Sequence, residues 1–267
     1  SSQPYTVAVN GGLVKSSNVI DLLKTPGVAK DLRNFEVSTE GGYRRINGYQ
    51  KLGTTSATQP TGGTTNILGV FPYADGVIAT AGTGIYFSND GQTWINISRS
   101  SVSGSGDNYS TFTGRSTLTR TSQGQCQFTL FDGATYDYGQ VIISDGANKP
   151  YAFRMEGSGS LSGRTFFAEE ITVSSTKGVK YVTTHDKHLI AAGVEDNLNT
   201  IYYSGTLDPT DFTSTGSGNI VLEDQIEGIK GFRNELFIFC TNSIFKLINI
   251  NDSSNIAIVP VTKNVGC

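Results

Sequence analysis

A loose repeat of short apolar strands separated by polar turns restricts the fold of this chain more than any other feature. Four stretches contain a strongly apolar strand, a turn and an aromatic strand, at residues 71–98, 137–155, 184–214 and 231–250. The spacings between them are 63, 48 and 47 residues when the units are aligned on Gly76, Gly139, Lys187 and Asn234. Strand-built repeats of roughly 40–50 residues are typical of β-propeller blades. The sequence therefore predicts an all-β fold, a β-propeller with about four to five blades visible.

Two of the apolar strands lack the alternation expected of a sheet with one face in water. They are "GVIATAG" (76–82) and "HLIAAG" (188–193), in which both faces are apolar. A sheet of this size cannot bury both faces alone, so neighbouring units must stack on one another. We expect these strands to lie in the layers between adjacent blades.

The chain divides into two predicted regions. Residues 1–60 differ from the rest and are interpreted as an extended N-terminal arm or adapter, and residues 61–267 as the propeller domain. A polar insertion at about 99–125 accounts for the longer first spacing. The last stretch, "IAIVPVTKNVGC" (256–267), is interpreted as the first strand or two of another blade. Either an N-terminal strand completes the ring or the natural product continues beyond Cys267, and the second interpretation is preferred.

Composition excludes several classes of protein. The formal net charge of −3 does not favour a general nucleic-acid or anionic-membrane binder. Membrane insertion is not expected, because no run approaches the roughly 18 apolar residues of a spanning helix. The three cysteines, Cys126, Cys240 and Cys267, have no paired spacing, which argues against a disulfide framework and favours assembly in a reducing cytoplasm.

Two groups of residues are candidate catalytic or metal sites. His185 and His188 have an H-x-x-H spacing, but they flank a predicted turn between strands and have no apparent third ligand. The acidic pairs Glu169–Glu170 and Glu223–Asp224 could supply glycosidase carboxylates only if the fold placed them across a cleft. The arginines that a sialidase-like site would need are scattered, at Arg115, Arg120, Arg154, Arg164 and Arg233. We predict no enzymatic activity, no metal site and no cofactor.

The stretch "GGYRRINGYQKLG" (41–53) concentrates aromatic and basic side chains and is the main candidate interaction site. Tyr43, Arg44, Arg45 and Tyr49 have the interleaved pattern with which proteins stack on single-stranded nucleic acid. The patch is small and no downstream segment extends it. The preferred interpretation is structural, with an anchor that leads into the first blade and arginines that pair with nearby carboxylates.

A second motif marks the fold rather than chemistry. "SNDGQTW" (88–94) resembles the Asp-box of sialidase-like and related propellers, in a version one residue shorter than the commonest form. The motif begins at Ser88, and in such a hairpin turn we expect Asp90 to accept backbone N–H bonds, Gly91 to adopt a positive φ and Trp94 to pack into the blade. Ser204, Asp208, Asp211 and Phe212 occupy the same outer-hairpin position without a strict match.

Two longer segments carry a family resemblance. "DLRNFEVSTEGGYRRINGYQKLG" (31–53) resembles the start of structural proteins of tailed bacteriophages, particularly cyanophages, through Asn34-Phe35, Gly41-Gly42, Arg44-Arg45 and Gly48-Tyr49. "HLIAAGVEDNLNTIYYSGTLDPTDF" (188–212) is similar to the propeller repeat of phage tail nozzle and stem proteins, and "KNVGC" (263–267) to the point where those proteins continue into another blade.

The resemblance implies a non-enzymatic virion protein of the phage tail, assembled in the host cytoplasm. It would be a nozzle or tail-hub component forming a homo-oligomeric ring with other tail proteins, through which double-stranded DNA passes without specific contacts. The alternative is a tail protein that binds a host receptor or surface glycan through aromatic loops around Tyr136, Tyr138 and Tyr151. A sialidase-like hydrolase using Glu169 or Glu170 is the third interpretation.

Overall fold

The computed structural model of the chain shows an all-β protein. It describes residues 28, 33, 35–37, 43–46, 66–98, 120–121, 124–133, 136, 138–159, 161–174, 178–252 and 254–265. The chain divides into two units, Ser1–Leu52 and Gly53–Cys267. In the first unit, strand β1 (Phe35–Val37) pairs antiparallel with β2 (Tyr43–Arg45). The rest of the predicted N-terminal arm lies largely outside the described residues.

The second unit contains four antiparallel sheets of four strands each, and each sheet follows chain order. The first comprises β3 (Ile67–Tyr73), β4 (Gly76–Ala81), β5 (Gly84–Ser88) and β6 (Ile95–Asn96). The second comprises β7 (Gln127–Phe131), β8 (Gln140–Ser144), β9 (Tyr151–Glu156) and β10 (Thr165–Glu170). The third comprises β11 (Val179–His185), β12 (His188–Val194), β13 (Asn197–Tyr203) and β14 (Gly218–Val221). The fourth comprises β15 (Ile226–Phe232), β16 (Glu235–Cys240), β17 (Ser243–Ile248) and β18 (Ala257–Lys263).

The four predicted repeat units correspond to these four sheets. The positions used to align the repeats lie at or directly before the second strand of each sheet, at Gly76, Gly139, Lys187 and Asn234. Two of the hairpins that enter these strands have tight two-residue turns with positive φ at both central residues, Asp186-Lys187 and Arg233-Asn234. Such turns match the twist of the strands that they join, which favours the same short hairpin at the start of the third and fourth repeats.

Each sheet packs on the next through a shared apolar core. The first and second sheets enclose one cluster, which includes Ile78, Phe87, Val141 and Phe153. The second and third sheets enclose another, around Ile142, Leu189 and Ala191. The third and fourth enclose a third cluster, around Ile190, Ala192, Leu236 and Ile238.

The two central sheets are buried on both faces, as the sequence predicted for "HLIAAG". In β12, Leu189 and Ala191 point to one core while Ile190 and Ala192 point to the other, because successive side chains of a strand alternate between faces. All seven residues of β12 are buried. The fourth sheet differs, because alternate residues of β16 and β17 are only half-buried.

The interpretation of residues 256–267 as the start of another blade is wrong. Strand β18 (Ala257–Lys263) pairs with β17 as the fourth strand of the fourth sheet. The chain turns back after β17 at Asn249, which has a φ of 57°, and the Asp252 amide donates to the Asn249 carbonyl over 2.9 Å. The described part of the second unit therefore contains four complete four-stranded sheets.

The predicted insertion at 99–125 separates β6 from β7, and most of it lies outside the described residues. Within the described ranges, the only helical element is the short 3₁₀ helix Leu161–Gly163. No helix in that part of the chain has the length and apolarity needed to cross a membrane.

Candidate functional site

The "SNDGQTW" turn is held together by hydrogen bonds among its own residues. Asp90 Oδ1 accepts from the backbone amides of Gln92 and Thr93, each over 2.7 Å. Ser88 Oγ donates to Asp90 Oδ1 over 3.1 Å and accepts from the Gly91 amide over 2.8 Å. Gly91 has a φ of 69°, in the left-handed region that favours glycine. These contacts are local, so they shape the turn and leave no group arranged for chemistry.

The equivalent turn of the third sheet repeats this chemistry. Asp211 follows the third strand of its sheet, as Asp90 does, and its Oδ1 accepts from the amides of Thr213 and Ser214 over 2.9 and 3.0 Å. These hydrogen bonds help to lower the pKa of Asp211 to about 2, the largest cause being the bond from the Ser214 hydroxyl. Phe212 packs against the core between the second and third sheets.

The tyrosine–arginine stretch is described only in part. Tyr43, Arg44 and Arg45 form β2, and the backbone register sets Arg44 opposite Glu36 and Arg45 opposite Phe35. The side chains of these three residues, and the whole of Tyr49, lie outside the described residues. Their role as an interaction site stays a prediction.

The two histidines flank the turn of the hairpin between β11 and β12. They are directly opposite each other in the register, and Asp186-Lys187 forms the turn between them. His188 is buried, with its Nδ1 2.5 Å from the Ser204 carbonyl and its Nε2 3.1 Å from Asn251 Oδ1. Burial lowers the pKa of His185. Among the described residues, no three His, Cys, Asp or Glu side chains are grouped so that they could hold a metal ion.

The acidic residues considered as glycosidase groups are divided between two places. Asp224 accepts hydrogen bonds from the Asn242 amide and the Ser243 hydroxyl, over 2.7 and 2.8 Å, and so fastens the turn before β17. Glu223 forms an exposed ion pair with Lys263. Glu169 and Glu170 end β10, and Glu169 lines a cavity described next.

A cavity of about 210 Å³ lies between the second and third sheets, and we call it the Gln140 cavity. Its lining combines the hairpin of β7 and β8, the end of β10 and the loop that follows β13. The residues are Phe131, Gly133, Tyr136, Gln140, Glu169, Leu207, Asp208, Pro209 and Thr210. Phe131 also belongs to the core between these sheets, so the cavity continues that core toward the surface.

Gln140 is a buried polar residue in the lining of the cavity. It begins β8 opposite Phe131, and it shares a sheet face with Ile142, whose side chain packs between the second and third sheets. The residue is 5% exposed, and its side-chain Oε1 has no hydrogen-bond partner in the described part of the chain. A buried acceptor without a donor is costly, and native proteins keep few of them.

The aromatic wall of the cavity is fixed by Arg154. The guanidinium carbon lies 4.1 Å from the centre of the Tyr136 ring and 4.0 Å from the centre of the Phe167 ring, so the cation is stacked between two aromatic side chains. Arg154 Nε also contacts Glu156 Oε1 over 3.3 Å. The Tyr136 loop is therefore anchored to β9 and β10 through a cation–π contact.

The loop on the opposite side is also ordered by local bonds. The Leu207 amide donates to the Lys187 carbonyl over 2.8 Å, and Asp208 Oδ1 accepts from both the amide and the hydroxyl of Thr210, over 2.9 and 2.8 Å. Glu169 and Asp208 are exposed at the edge of the cavity. The lining thus carries two carboxylates and no lysine or arginine.

Of the three tyrosines proposed to stack on sugars, only Tyr136 lines the cavity. Tyr151 is buried in β9, and Tyr138 packs against the core between the first and second sheets. Tyr151 therefore cannot present a ring to a ligand. Sequence reasoning missed Gln140 altogether, because a buried amide at the start of a strand has no distinguishing pattern.

Comparisons with known proteins do not identify this chain. No protein-family model matches it, and no curated protein matches it. Its function must be inferred from its own residues.

Proposed function

We propose that this chain is a non-enzymatic structural protein of a bacteriophage tail, with its four sheets arranged as blades of a β-propeller. The sheet packing supports the blade arrangement, and the resemblance of residues 31–53 and 188–212 to phage tail proteins supports the function. Strand β11 contacts β7, and β15 contacts β11, so the first strands of successive sheets lie side by side. First strands that line a common centre, with outer strands diverging, are the arrangement of propeller blades.

The first pair of sheets fits the same arrangement. Phe71 of β3 stacks on Phe128 of β7, with ring centres 5.7 Å apart. The Cys126 amide, just before β7, donates to the Leu68 carbonyl over 2.9 Å. Between the second and third sheets, the hydroxyl oxygens of Thr129 in β7 and Thr184 in β11 lie within hydrogen-bonding distance, 3.3 Å apart. First strands therefore touch along the whole series of sheets.

In this proposal the protein acts through rigidity. Stacked sheets hold their loops in fixed positions, while the N-terminal arm and the insertion at about 99–125 contact neighbouring subunits of a homo-oligomeric nozzle or hub ring. The net charge of −3 suits a ring around passing DNA, because cationic surfaces would bind the phosphate backbone.

The location in the virion is tested by mass spectrometry of purified particles with copy-number measurement. A copy number per particle that matches the number of subunits in a ring supports the proposal, and absence from the particle overturns it.

Replacing Arg44 and Arg45 by alanine tests the proposed role of the N-terminal arm. We expect impaired assembly with unchanged affinity for free DNA, whereas a parallel loss of DNA affinity would favour nucleic-acid binding.

A second candidate function is favoured by the Gln140 cavity. A tail protein that attaches to the host through a surface glycan needs a polar pocket beside an aromatic ring, and Tyr136, Gln140 and Glu169 provide one. Reproducible binding to one host polysaccharide on a glycan array would support this function. An array with no specific signal would favour the purely architectural role.

A further inference from the structure

We propose that the outer face of the fourth sheet is a contact surface between two copies of this chain, related by a two-fold axis. This outer face is formed by the side chains of β16 and β17 that point away from the third sheet. They are Glu235, Phe237, Phe239, Ile244, Lys246 and Ile248. The inference concerns self-association in solution, so it stands or fails independently of the location in a virion.

The first argument is the apolar character of the outer face. Leu236 and Ile238 of β16 pack in the core with the third sheet, so the alternating residues Phe237 and Phe239 point the other way. An antiparallel sheet that faces water normally carries polar side chains on the solvent side. Here four of the six positions are phenylalanine or isoleucine, and all four are half-buried. A contiguous apolar surface of this kind is typical of a protein contact.

The second argument is the position of this face in the series of sheets. The second and third sheets each pack on a neighbour through both of their faces. The fourth sheet packs on the third through one face, and no further sheet is described beyond it. The outer face therefore has the shape and chemistry that elsewhere in this chain receives another apolar sheet.

The third argument identifies the partner. On the first sheet, Ala79, Ala81 and Tyr86 point away from the core with the second sheet, and they are 1%, 0% and 3% exposed. A face that is already buried cannot receive the fourth sheet of the same chain or of a neighbour arranged head to tail. The outer face of a second copy remains accessible, and contact between identical faces produces two-fold symmetry.

The fourth argument is charge. Lys246 Nζ lies 2.5 Å from Glu235 Oε1, so one ion pair stands among the apolar side chains of the outer face. The two side chains are 27% and 46% exposed, so each can still be reached by another charged group. In a two-fold contact, Lys246 of one copy can pair with Glu235 of the other. The outer face is therefore electrostatically complementary to itself.

The size of the outer face sets the strength of the contact. Four strands about 4.8 Å apart, with about six residues each at about 3.4 Å per residue, cover roughly 400 Å². Two such faces bury roughly 800 Å² in total, which is less than the roughly 1,200 Å² at the lower end of stable interfaces. We therefore expect a weak dimer, with a dissociation constant above about 1 µM.

The first test is sedimentation velocity of the full chain at concentrations from about 5 to about 500 µM. We expect the chain to convert from monomer to dimer within this range. A chain that stays monomeric at the highest concentration overturns the inference. Association that continues beyond the dimer also overturns it, because a two-fold contact between identical faces closes after two copies.

Charge reversal tests whether the outer face forms the contact. Glu235→Lys and Lys246→Glu each give the face two like charges, so each variant alone should dimerise at least about tenfold more weakly. An equimolar mixture pairs a positive face with a negative one, and should form heterodimers with an affinity within about threefold of the wild type. The matched control is Val221→Glu, which adds a charge at a 66% exposed position of β14 and should leave dimerisation unchanged.

The outcomes of charge reversal support or exclude the outer face directly. Thermal unfolding of every variant checks that a lost dimer does not come from lost structure. Dimers that tolerate both reversals would show that the contact lies elsewhere. A mixture that remains monomeric while the wild type dimerises would show that the two charges do not meet across the contact, and would likewise overturn the inference.

Discussion

At the scale of single residues, two arginines join the first sheet to the second at opposite ends of β4. Arg120 Nε contacts Asp145 Oδ2 over 3.0 Å, and its Nη1 donates to the Gly82 carbonyl over 3.3 Å. Arg164 makes a two-pronged contact with Asp75, at 2.6 and 2.5 Å. Both arginine side chains are almost completely buried. In each case the contacting carboxylate offsets part of the cost of burying the guanidinium.

The Arg120–Asp145 pair predicts a stability effect. Removing the charge of Asp145 takes away a buried carboxylate that contacts the buried Arg120 guanidinium, so Asp145→Asn should lower the free energy of unfolding by about 3 kcal/mol at pH 7. Urea titration of wild type and variant measures this difference in the free energy of unfolding. The control is Glu223→Gln, which breaks the exposed pair with Lys263 and should cost less than about 1 kcal/mol. Equal losses in the two variants would contradict the assigned role.

The same pair predicts a pH dependence. Burial raises the pKa of Asp145, but hydrogen bonds from Asn148, Arg120 and the Ala147 amide outweigh it, so the net pKa is lowered. A lowered carboxyl pKa gives stability that is present above the unfolded value, about 3.9, and lost as pH falls toward the folded pKa. The difference in unfolding free energy between wild type and Asp145→Asn should therefore shrink below pH 4. A difference that grows toward low pH would contradict this.

The Asp90 turn predicts a smaller effect. Asp90→Ala removes the acceptor of two backbone amides and one hydroxyl, in a half-exposed turn where water replaces part of the loss. We expect a loss of about 1 kcal/mol in the free energy of unfolding, measured by chemical denaturation. Asp90→Asn keeps one acceptor oxygen and should recover most of it. If asparagine is as damaging as alanine, the turn is not held by these bonds.

At the scale of strands, two glycines occupy irregular positions with different constraints. Gly193 lies where the register between β12 and β13 shifts, and it has a φ of 68°. A Cβ there would approach Tyr181 Cδ2 to 2.9 Å and Lys180 Cβ to 3.0 Å. Gly228 lies beside another register shift, between β15 and β16, but a Cβ there meets nothing within 4 Å.

These positions form a matched pair for mutation. Gly193→Ala should lower the free energy of unfolding by about 1–3 kcal/mol, because it adds both a backbone penalty and a close contact. Gly228→Ala should change it by no more than about 0.5 kcal/mol. Denaturant unfolding of both variants measures the contrast. Similar costs would show that the register shift at Gly193 does not require glycine.

At the scale of the whole molecule, the repeat of strands could be predicted from the sequence more successfully than the pairing of those strands. Two-sided burial of β12 followed from its local apolar pattern, and the turn before β12 followed from the residues between His185 and His188. Strand β18 was misassigned because an apolar edge strand and the first strand of a new sheet have the same composition. Only the reversal at Asn249 distinguishes them.

The site was harder to predict than the fold. Arg120 falls in a segment interpreted as a polar insertion, yet it is buried against Asp145. Gln140 belongs to no sequence motif. The cavity that it lines is completed by the loop after β13, nearly 70 residues further along the chain. Both depend on partners distant in sequence, which local periodicity does not encode.

The stacking of the sheets also predicts how stability is distributed. Opening the third sheet exposes two apolar cores, whereas opening the fourth exposes only one, because alternate residues of β16 are half-buried on its other face. Local opening costs more where more apolar surface is exposed. In native-state hydrogen exchange, amides of β12 should therefore be protected more strongly than those of β16, although both are inner strands with two neighbours. Edge strand β18 serves as the weakly protected reference. Protection of β16 equal to that of β12 would mean that the molecule opens as one unit and that the order of the sheets does not govern its local stability.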